Sequence, residues 1–313
     1  MKLGVFTGLT SKIIKKKPLV GIEIGYPDIR AVEVVYKKDK PQVAALGQVK
    51  APPGNDNDVV EEVLVEALIL MWEKAGFSGE RAVTALRGVR VAEKIIRMPV
   101  MPAKELERAL EWEAERLFPF PLAGTSLRHI ALGEEKQGAE RQLNILLAAA
   151  PVVLLQKYHR AFESAGLDLI AVDLPVLALW RLFCYLNGKN LTGNIAILNL
   201  VFRESRFMVV SEGLPLYIRP LPVAVKEEDL PSGIEKLALE INHSLVYYQN
   251  QHQERQIQKI ILTGEKRLIE GLTDWLTKQK GLPVELEGNF LPADSTLDPP
   301  YAVAAGLALW EVG

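Results

Sequence analysis

Two stretches of this chain, Leu19–Val49 and Asn194–Pro220, carry the same pattern. In the first, Leu19–Ile24, Ile29–Tyr36 and Val43–Val49 are alternating or continuous β-branched runs, and Lys38-Asp39-Lys40-Pro41 supplies a turn. In the second, "NIAILNLVFRESRFMVVSEGLPLYIRP" is again strand, turn, strand, glycine-containing turn, strand. Laid on each other without a gap, Glu23 falls on Asn199, Gly25 on Val201, Asp28 on Glu204 and Arg30 on Arg206. Helices follow both copies. A strand triplet that recurs in this way predicts two related α/β lobes, and the cleft between such lobes is where small ligands bind.

Between the copies the sequence reads as a further unit, about Val91 to Ile170, punctuated by Met98-Pro99, Met101-Pro102 and Phe118-Pro119-Phe120-Pro121. It runs strand (Ala92–Arg97), helix (Ala103–Phe118), two strands (Ser126–Leu132, Gln142–Ala149) and helix (Pro151–Ala165). Pro102 and Pro151 fit the first turn of a helix. Upstream, a helix over Val59–Lys74 has Asp58 as its expected N-cap and Gly76 as its left-handed stop, and a strand follows at Arg81–Leu86. Further on come helix Pro175–Leu186 and the turn-rich "NGKNLTGN". A long helix then opens on a capping box, Ser232 with Glu235. The last elements are strand Ile257–Thr263, helix Lys266–Lys280, strand Pro283–Leu286 and helix Pro300–Glu311.

Composition narrows the function. Of 313 residues 49% are hydrophobic, enough for at least two cores, and the net charge of -2 argues against a nucleic-acid binder. No run reaches the roughly 18 to 20 uncharged apolar residues of a membrane span. The start, "MKLGVFTGLTSKIIKKKP", has its lysines after its apolar residues, the reverse of a secretory signal. It reads as a solvated basic tail over residues 1–18, the alternative being a contact with anionic lipid worth about 1 kcal/mol per lysine. Cys184, the single cysteine, sits in an apolar run and is expected to be buried and unreactive. His129, His159, His243 and His252 lack metal-ligand spacing, and no Gly-x-Ser-x-Gly motif is present. These features predict a protein of the cytoplasm.

In that order, the segments resemble the PilM family, the actin-like cytoplasmic proteins of type IV pilus assembly, related in fold to the cell-division protein FtsA. The resemblance rests on "VGIEIGYPDIRAVEV" at the first phosphate segment, "MPVMPAKELERALEWEAERLFPFPL" in an inserted subdomain and "GLDLIAVDLPVLALWRL" at the return helix. "ILTGEKRLIEGLTDWLTKQKGLPVEL" at the adenosine segment and the closing "YAVAAGLAL" complete it. It implies an α/β, actin-like (ribonuclease H-like) two-domain fold with duplicated β-meander/helix lobes and an FtsA-type inserted subdomain. The first domain would comprise residues 19–90 and 171–190, with the helix of 301–313 packing back on it. The insert would be 91–170 and the second domain 191–300. The resemblance further implies ATP with Mg²⁺ in the cleft and binding of the cytoplasmic tail of PilN, a membrane-anchored partner. Membrane association would thus be indirect, and the pilus motor ATPase and self-association are further contacts.

Carried over residue by residue, the nucleotide site comprises Glu23, which would also order a magnesium-bound water, Gly25, Asn199, Gly264 and Lys266. This chain departs from the family at most of them. Glu23 replaces Asp, and Pro27 removes an N–H donor beside it. Asn199 replaces Asp, Val201 replaces Gly, and Thr263-Gly264-Glu265-Lys266 keeps a single glycine. Without glycine a Cβ obstructs close approach of backbone to phosphate. Arg203 or Arg206 could instead reach a phosphate, or simply be a strand-end arginine. The expectation is slow or absent hydrolysis, with weak nucleotide binding left open. The helix around Trp112 has an acidic face with ion pairs between neighbouring turns and an apolar side, Leu106, Leu110, Trp112, Leu117 and Phe118, that reads as core. Part of it, Leu117 and Phe118 with Phe120, is the expected partner-binding groove. The leading reading is an adaptor of pilus, competence or secretion assembly. The enzyme alternative, an actin-like ATPase or kinase, needs a phosphate grip that these substitutions weaken. A membrane-tethered filament protein closer to FtsA predicts a basic amphipathic C-terminal helix, which "AVAAGLALWEVG" does not supply.

Overall fold

The computed structural model describes residues 17–52, 60–88, 90–137, 140–188, 192–280, 282–286 and 298–312, the side chains of 135–137, 140, 279 and 280 excepted. Most of the basic tail, Asp58 and part of the "NGKNLTGN" loop lie outside the described residues.

The first copy of the repeat folds as an antiparallel meander, β1 (Leu19–Ile24), β2 (Asp28–Lys37) and β3 (Lys40–Lys50). After α1 (Glu61–Ala75), β4 (Arg81–Ala85) returns parallel to β1, and β8 (Asp168–Asp173) joins parallel to β4. The sheet order is β3-β2-β1-β4-β8. The second copy repeats this: β9 (Asn194–Leu200), β10 (Arg206–Ser211) and β11 (Leu214–Pro220) form the meander, β12 (Lys259–Gly264) and β13 (Val284–Leu286) the parallel strands, in the order β11-β10-β9-β12-β13. The ungapped superposition read from the sequence is the structural one. Glu23 pairs with Arg30 across β1 and β2, and Asn199 pairs with Arg206 across β9 and β10.

A third sheet, ordered β5-β7-β6, is made by β5 (Ala92–Pro99), β6 (Thr125–Gln137) and β7 (Glu140–Pro151). It carries α2 (Ala103–Leu117) on a core of its own that includes Leu106, Leu110, Ala114 and Phe118. The sequence boundary of this insert at Ile170 extends too far. Helix α3 (Val152–Ser164) buries Leu154, Tyr158, Ala161 and Phe162 in the first lobe's core, and β8 belongs to the first sheet. Trp112 also departs from expectation, being 79% exposed. Leu106, Leu110 and Ala114 follow one another at four-residue spacing and make the buried face, whereas two residues beyond Leu110 is roughly 200° round the helix. Helix starts differ as well. Pro102 and Pro151 are the N-cap residues of α2 and α3, and α1 begins at an N-cap, Val60, with no side-chain cap. The helix α5 (Leu230–Gln251) starts before Ser232, which therefore lies inside its first turn and caps nothing.

Helix α4 (Pro175–Asn187) lies between the lobes and is buried along most of its length. Its core is continuous with Ile195, Ile197, Met208, Val210 and Ile261 of the second sheet, and Trp180 Nε1 donates to Gly213 O at 2.8 Å. On the other face of the second sheet, α5 and α6 (Lys266–Lys280) close a separate core. The short α7 (Ala302–Ala308) packs on β1 and α4. That approach requires Gly21, where a Cβ would overlap Ala304 O and Ala308 N. Gly21→Ala is expected to destabilise the chain by about 1–3 kcal/mol, the usual cost of overpacking. A urea unfolding midpoint equal to that of the parent chain would show that α7 does not seat there.

Candidate functional site

The cleft between the lobes is framed by the β1–β2 turn (Gly25 to Pro27), the β9–β10 turn (Val201 to Ser205) and the end of β12 at Glu265. The Tyr26–Pro27 peptide is cis. Charged side chains from all sides meet here. Arg30, on β2, forms an ion pair with Glu265 of the other lobe, donating one hydrogen bond at 3.2 Å to Oε2 and standing 2.8 Å from Oε1. Asp28 lies 3.4 Å from Arg30 and 2.9 Å from Lys50. Glu23 is buried and paired with Arg87, just beyond β4. Arg206, on β10, pairs with Glu93 of the insert at 2.7 Å and with Glu204 at 2.9 Å. At the mouth, the Arg203 guanidinium stands 3.9 Å from the centre of the Tyr26 ring. Burial works against the charge on Arg30 and Arg206. Glu265 in the first case, and Glu93 with Glu204 in the second, outweigh it and hold both guanidinium groups above their ordinary value.

What remains between these groups is a cavity of about 20 Å³ lined by Glu23, Gly25, Tyr26, Arg30, Arg203 and Glu265, among others. That is room for about one water molecule. Ligand pockets for drug-sized molecules run to roughly 300–1,000 Å³.

The residues expected to hold nucleotide are placed as follows. Glu23 and Gly25 line the cavity, but the Glu23 carboxylate is already neutralised by Arg87. Asn199 is buried on β9 and does not line it. At the second turn, the Val201 N–H donates to Ser205 Oγ at 3.0 Å. Gly264, at φ +107°, is glycine because a Cβ there would overlap Leu200 O. Its close neighbour is thus a strand of its own lobe rather than a base. Lys266 is more than half exposed and pairs with Asp298 at 3.0 Å. Among the described residues the two turns are a poor fit for a phosphate chain: the carboxylate at the first is paired with Arg87, a backbone donor at the second is taken, and the cavity between Glu23, Arg30 and Glu265 has room for about one water. Among the described residues no group of three His, Cys, Asp or Glu is placed to hold a metal.

A larger space lies where the insert meets the first lobe. This groove of about 340 Å³ has Glu107, Leu110 and Glu111 of α2 on one wall, Leu127 to Ile130 of β6 and part of β7 on another, and Leu177 of α4 at its base. The strand β6 is at the edge of its sheet, so on its outer side no strand pairs with it among the described residues. An extended peptide can add to such an edge while apolar pockets take alternate side chains. Leu117, Phe118 and Phe120 are not in this groove. The rings of Phe118 and Phe120 stack at 5.6 Å within the insert's own core, Phe118 being buried, while Leu117 is half-buried and outside that core.

Sequence reasoning missed Glu93, Arg87 and most of the groove. Glu93 had a usable signal, a lone carboxylate beside apolar residues in a strand, since buried carboxylates are seldom unpaired. The groove had none, because it is assembled from three elements distant in sequence.

A family model described as type IV pilus assembly protein PilM matches residues 21–223. A search of curated protein sequences gave no match. Among solved structures, that of a PilM-PilN type IV pilus biogenesis complex is similar, with TM-score 0.80 and 23% identity over 94% of this chain and 98% of that one. Ethanolamine utilization protein EutJ from Carboxydothermus hydrogenoformans is more distant, with TM-score 0.52 and 11% identity over 96% and 92% of the two chains. The cytoplasmic domain of EpsL, an inner-membrane component of the type II secretion system of Vibrio cholerae, has TM-score 0.51 and 13% identity over 94% and 95%. These likenesses establish an actin-like α/β fold.

Removing one partner of a buried ion pair costs about 3–5 kcal/mol. Glu93→Ala should fall at the lower end of that range, because Glu204 still faces Arg206. Chemical denaturation measures it, and a loss below about 1 kcal/mol, the value of an exposed pair, would show that the Arg206–Glu93 contact is not made in solution.

Proposed function

The chain belongs to the family of type IV pilus assembly proteins PilM, and from that premise we propose that it is a cytoplasmic adaptor at the inner face of the membrane, binding the cytoplasmic tail of a PilN-like inner-membrane protein. The observation that carries this reading is the groove of about 340 Å³ between α2, β6 and Leu177. It combines an edge strand, apolar side chains and a rim with Glu107 and Glu111 on the α2 side and Arg128 and His129 on the β6 side, which suits an extended segment with apolar side chains inward and a basic residue toward α2. The structurally similar protein solved with PilN supports the same class of partner. No helix among the described residues is long and apolar enough to cross a membrane, so any membrane attachment through them would be indirect.

The same reading takes the interlobe cleft as degenerate for nucleotide. An ATPase or kinase needs a phosphate grip and a site for the attacking group, and the space of about 20 Å³ between Glu23, Arg30 and Glu265 supports neither. The enzyme alternative is therefore the weaker one.

Fluorescence anisotropy with a labelled peptide of the PilN-like protein's cytoplasmic tail tests the adaptor role. Ile130→Glu, at a half-buried groove position, and Glu111→Lys, on the exposed rim, should each weaken binding, the former by at least about ten-fold, or roughly 1.4 kcal/mol. Trp112→Ala, on the outer face of α2, should leave it unchanged. Binding unaffected by both groove variants would place the partner elsewhere.

A further inference from the structure

We infer that the charged network in the cleft is a latch: Arg30–Glu265, Arg206–Glu93 and Arg203–Tyr26 hold the two lobes closed on each other with no nucleotide between them. In a two-lobed fold with an open central cleft, a bound ligand that touches both sides can supply the bridge. Here the bridge is made of the chain's own side chains, and each link crosses a boundary between units.

Arg30 belongs to the first lobe and Glu265 to the second, and they meet through one hydrogen bond at 3.2 Å and a second charge contact at 2.8 Å, with both side chains almost wholly buried. Arg206 belongs to the second lobe and Glu93 to the insert, with side chains 3% and 2% exposed. Parting the units would leave Arg206 with Glu204 alone and Arg30 with Asp28 alone, so moving the second lobe away from the insert and from the first lobe is opposed at two separate points. Arg203 and Tyr26 come from the two equivalent turns, one in each lobe, and close the mouth over the pairs. These two turns face each other across the cleft. This follows from the reading of the cleft as degenerate, and the two can be separated by experiment.

Spin labels at Glu73→Cys on α1 and Lys278→Cys on α6, both exposed positions on opposite lobes, report the interlobe distance by pulsed electron resonance in the full chain. Cys184, expected to be buried, is only half-buried and is replaced by serine in the labelled chains, so that the two introduced thiols alone react. The latch predicts one narrow distance distribution without nucleotide, unchanged by saturating Mg-ATP. Glu265→Gln, which keeps the shape and removes the charge, should add a second population at longer distance. Should that variant not fold, Arg203→Ala removes only the contact at the mouth and should broaden the distribution to a smaller extent. A broad distribution in the parent chain that narrows with Mg-ATP would overturn the latch. So would a variant of either kind that keeps the parent's narrow distance. Mg-ATP raising the melting temperature while the nucleotide-free distance is already narrow, with Glu265→Gln still opening it, would overturn the degenerate-cleft reading and leave the latch standing.

Discussion

The guanidinium groups of Arg30 and Arg206 impose the constraint around which the cleft is organised. They stand at equivalent places in the two repeats, each paired across its meander with the residue at the end of the first strand, Glu23 in one case and Asn199 in the other. In a pair of separated lobes both would have water. In the closed molecule both are buried, and each depends on a carboxylate supplied from outside its own lobe, Glu265 or Glu93. Lobe position and charge compensation are therefore one equilibrium. The register extends the relation. Ile22 lies beside Thr84 and Leu198 beside Leu262, so three residues further on Arg87 and Glu265 occupy matching strand ends with opposite charge. The first neutralises Glu23 within its lobe, and the second reaches across to Arg30.

The arrangement also connects the cleft to the groove in physical terms. Glu93, held by Arg206 of the second lobe, pairs across the insert's sheet with Ala148, which lines the groove. Leu177, at the groove's base, is on α4, whose Trp180 donates to Gly213 in the second lobe. The floor of the groove is thus assembled on parts that also touch the second lobe. On the proposed reading, in which the cleft is latched and the groove takes a peptide, such coupling would suit an adaptor, since a preorganised site does not spend binding energy on ordering itself.

Much of the fold was legible because the repeat is written in apolar runs, buried along β1, β9 and β10 and with an exposed face in β3, and a strand with one buried face leaves little latitude in register. The ungapped superposition of Glu23 on Asn199 and Arg30 on Arg206 anticipated the strand pairing of both sheets. The insert's limits were harder to read. Residues of α3 and β8 continue the apolar pattern of the insert without a break, and only tertiary packing assigns them to the first lobe. Trp112 was read as core from its size, whereas helical phase puts it outside. At the cleft, Val201 and Pro27 pointed to a poor grip on phosphate, but the sequence offered no way to know that Glu265 would face Arg30, 235 residues away in the chain. Gly264 was read as part of a nucleotide segment, and the structure adds a packing reason for it, the close approach of Leu200.

Isothermal titration calorimetry of the full chain with Mg-ATP and Mg-ADP tests most directly whether the cleft has exchanged a ligand for its own side chains. The account predicts no saturable heat up to millimolar nucleotide. Saturable binding at micromolar concentration, weakened by Glu23→Ala, would contradict it and return the nucleotide to the centre of the molecule.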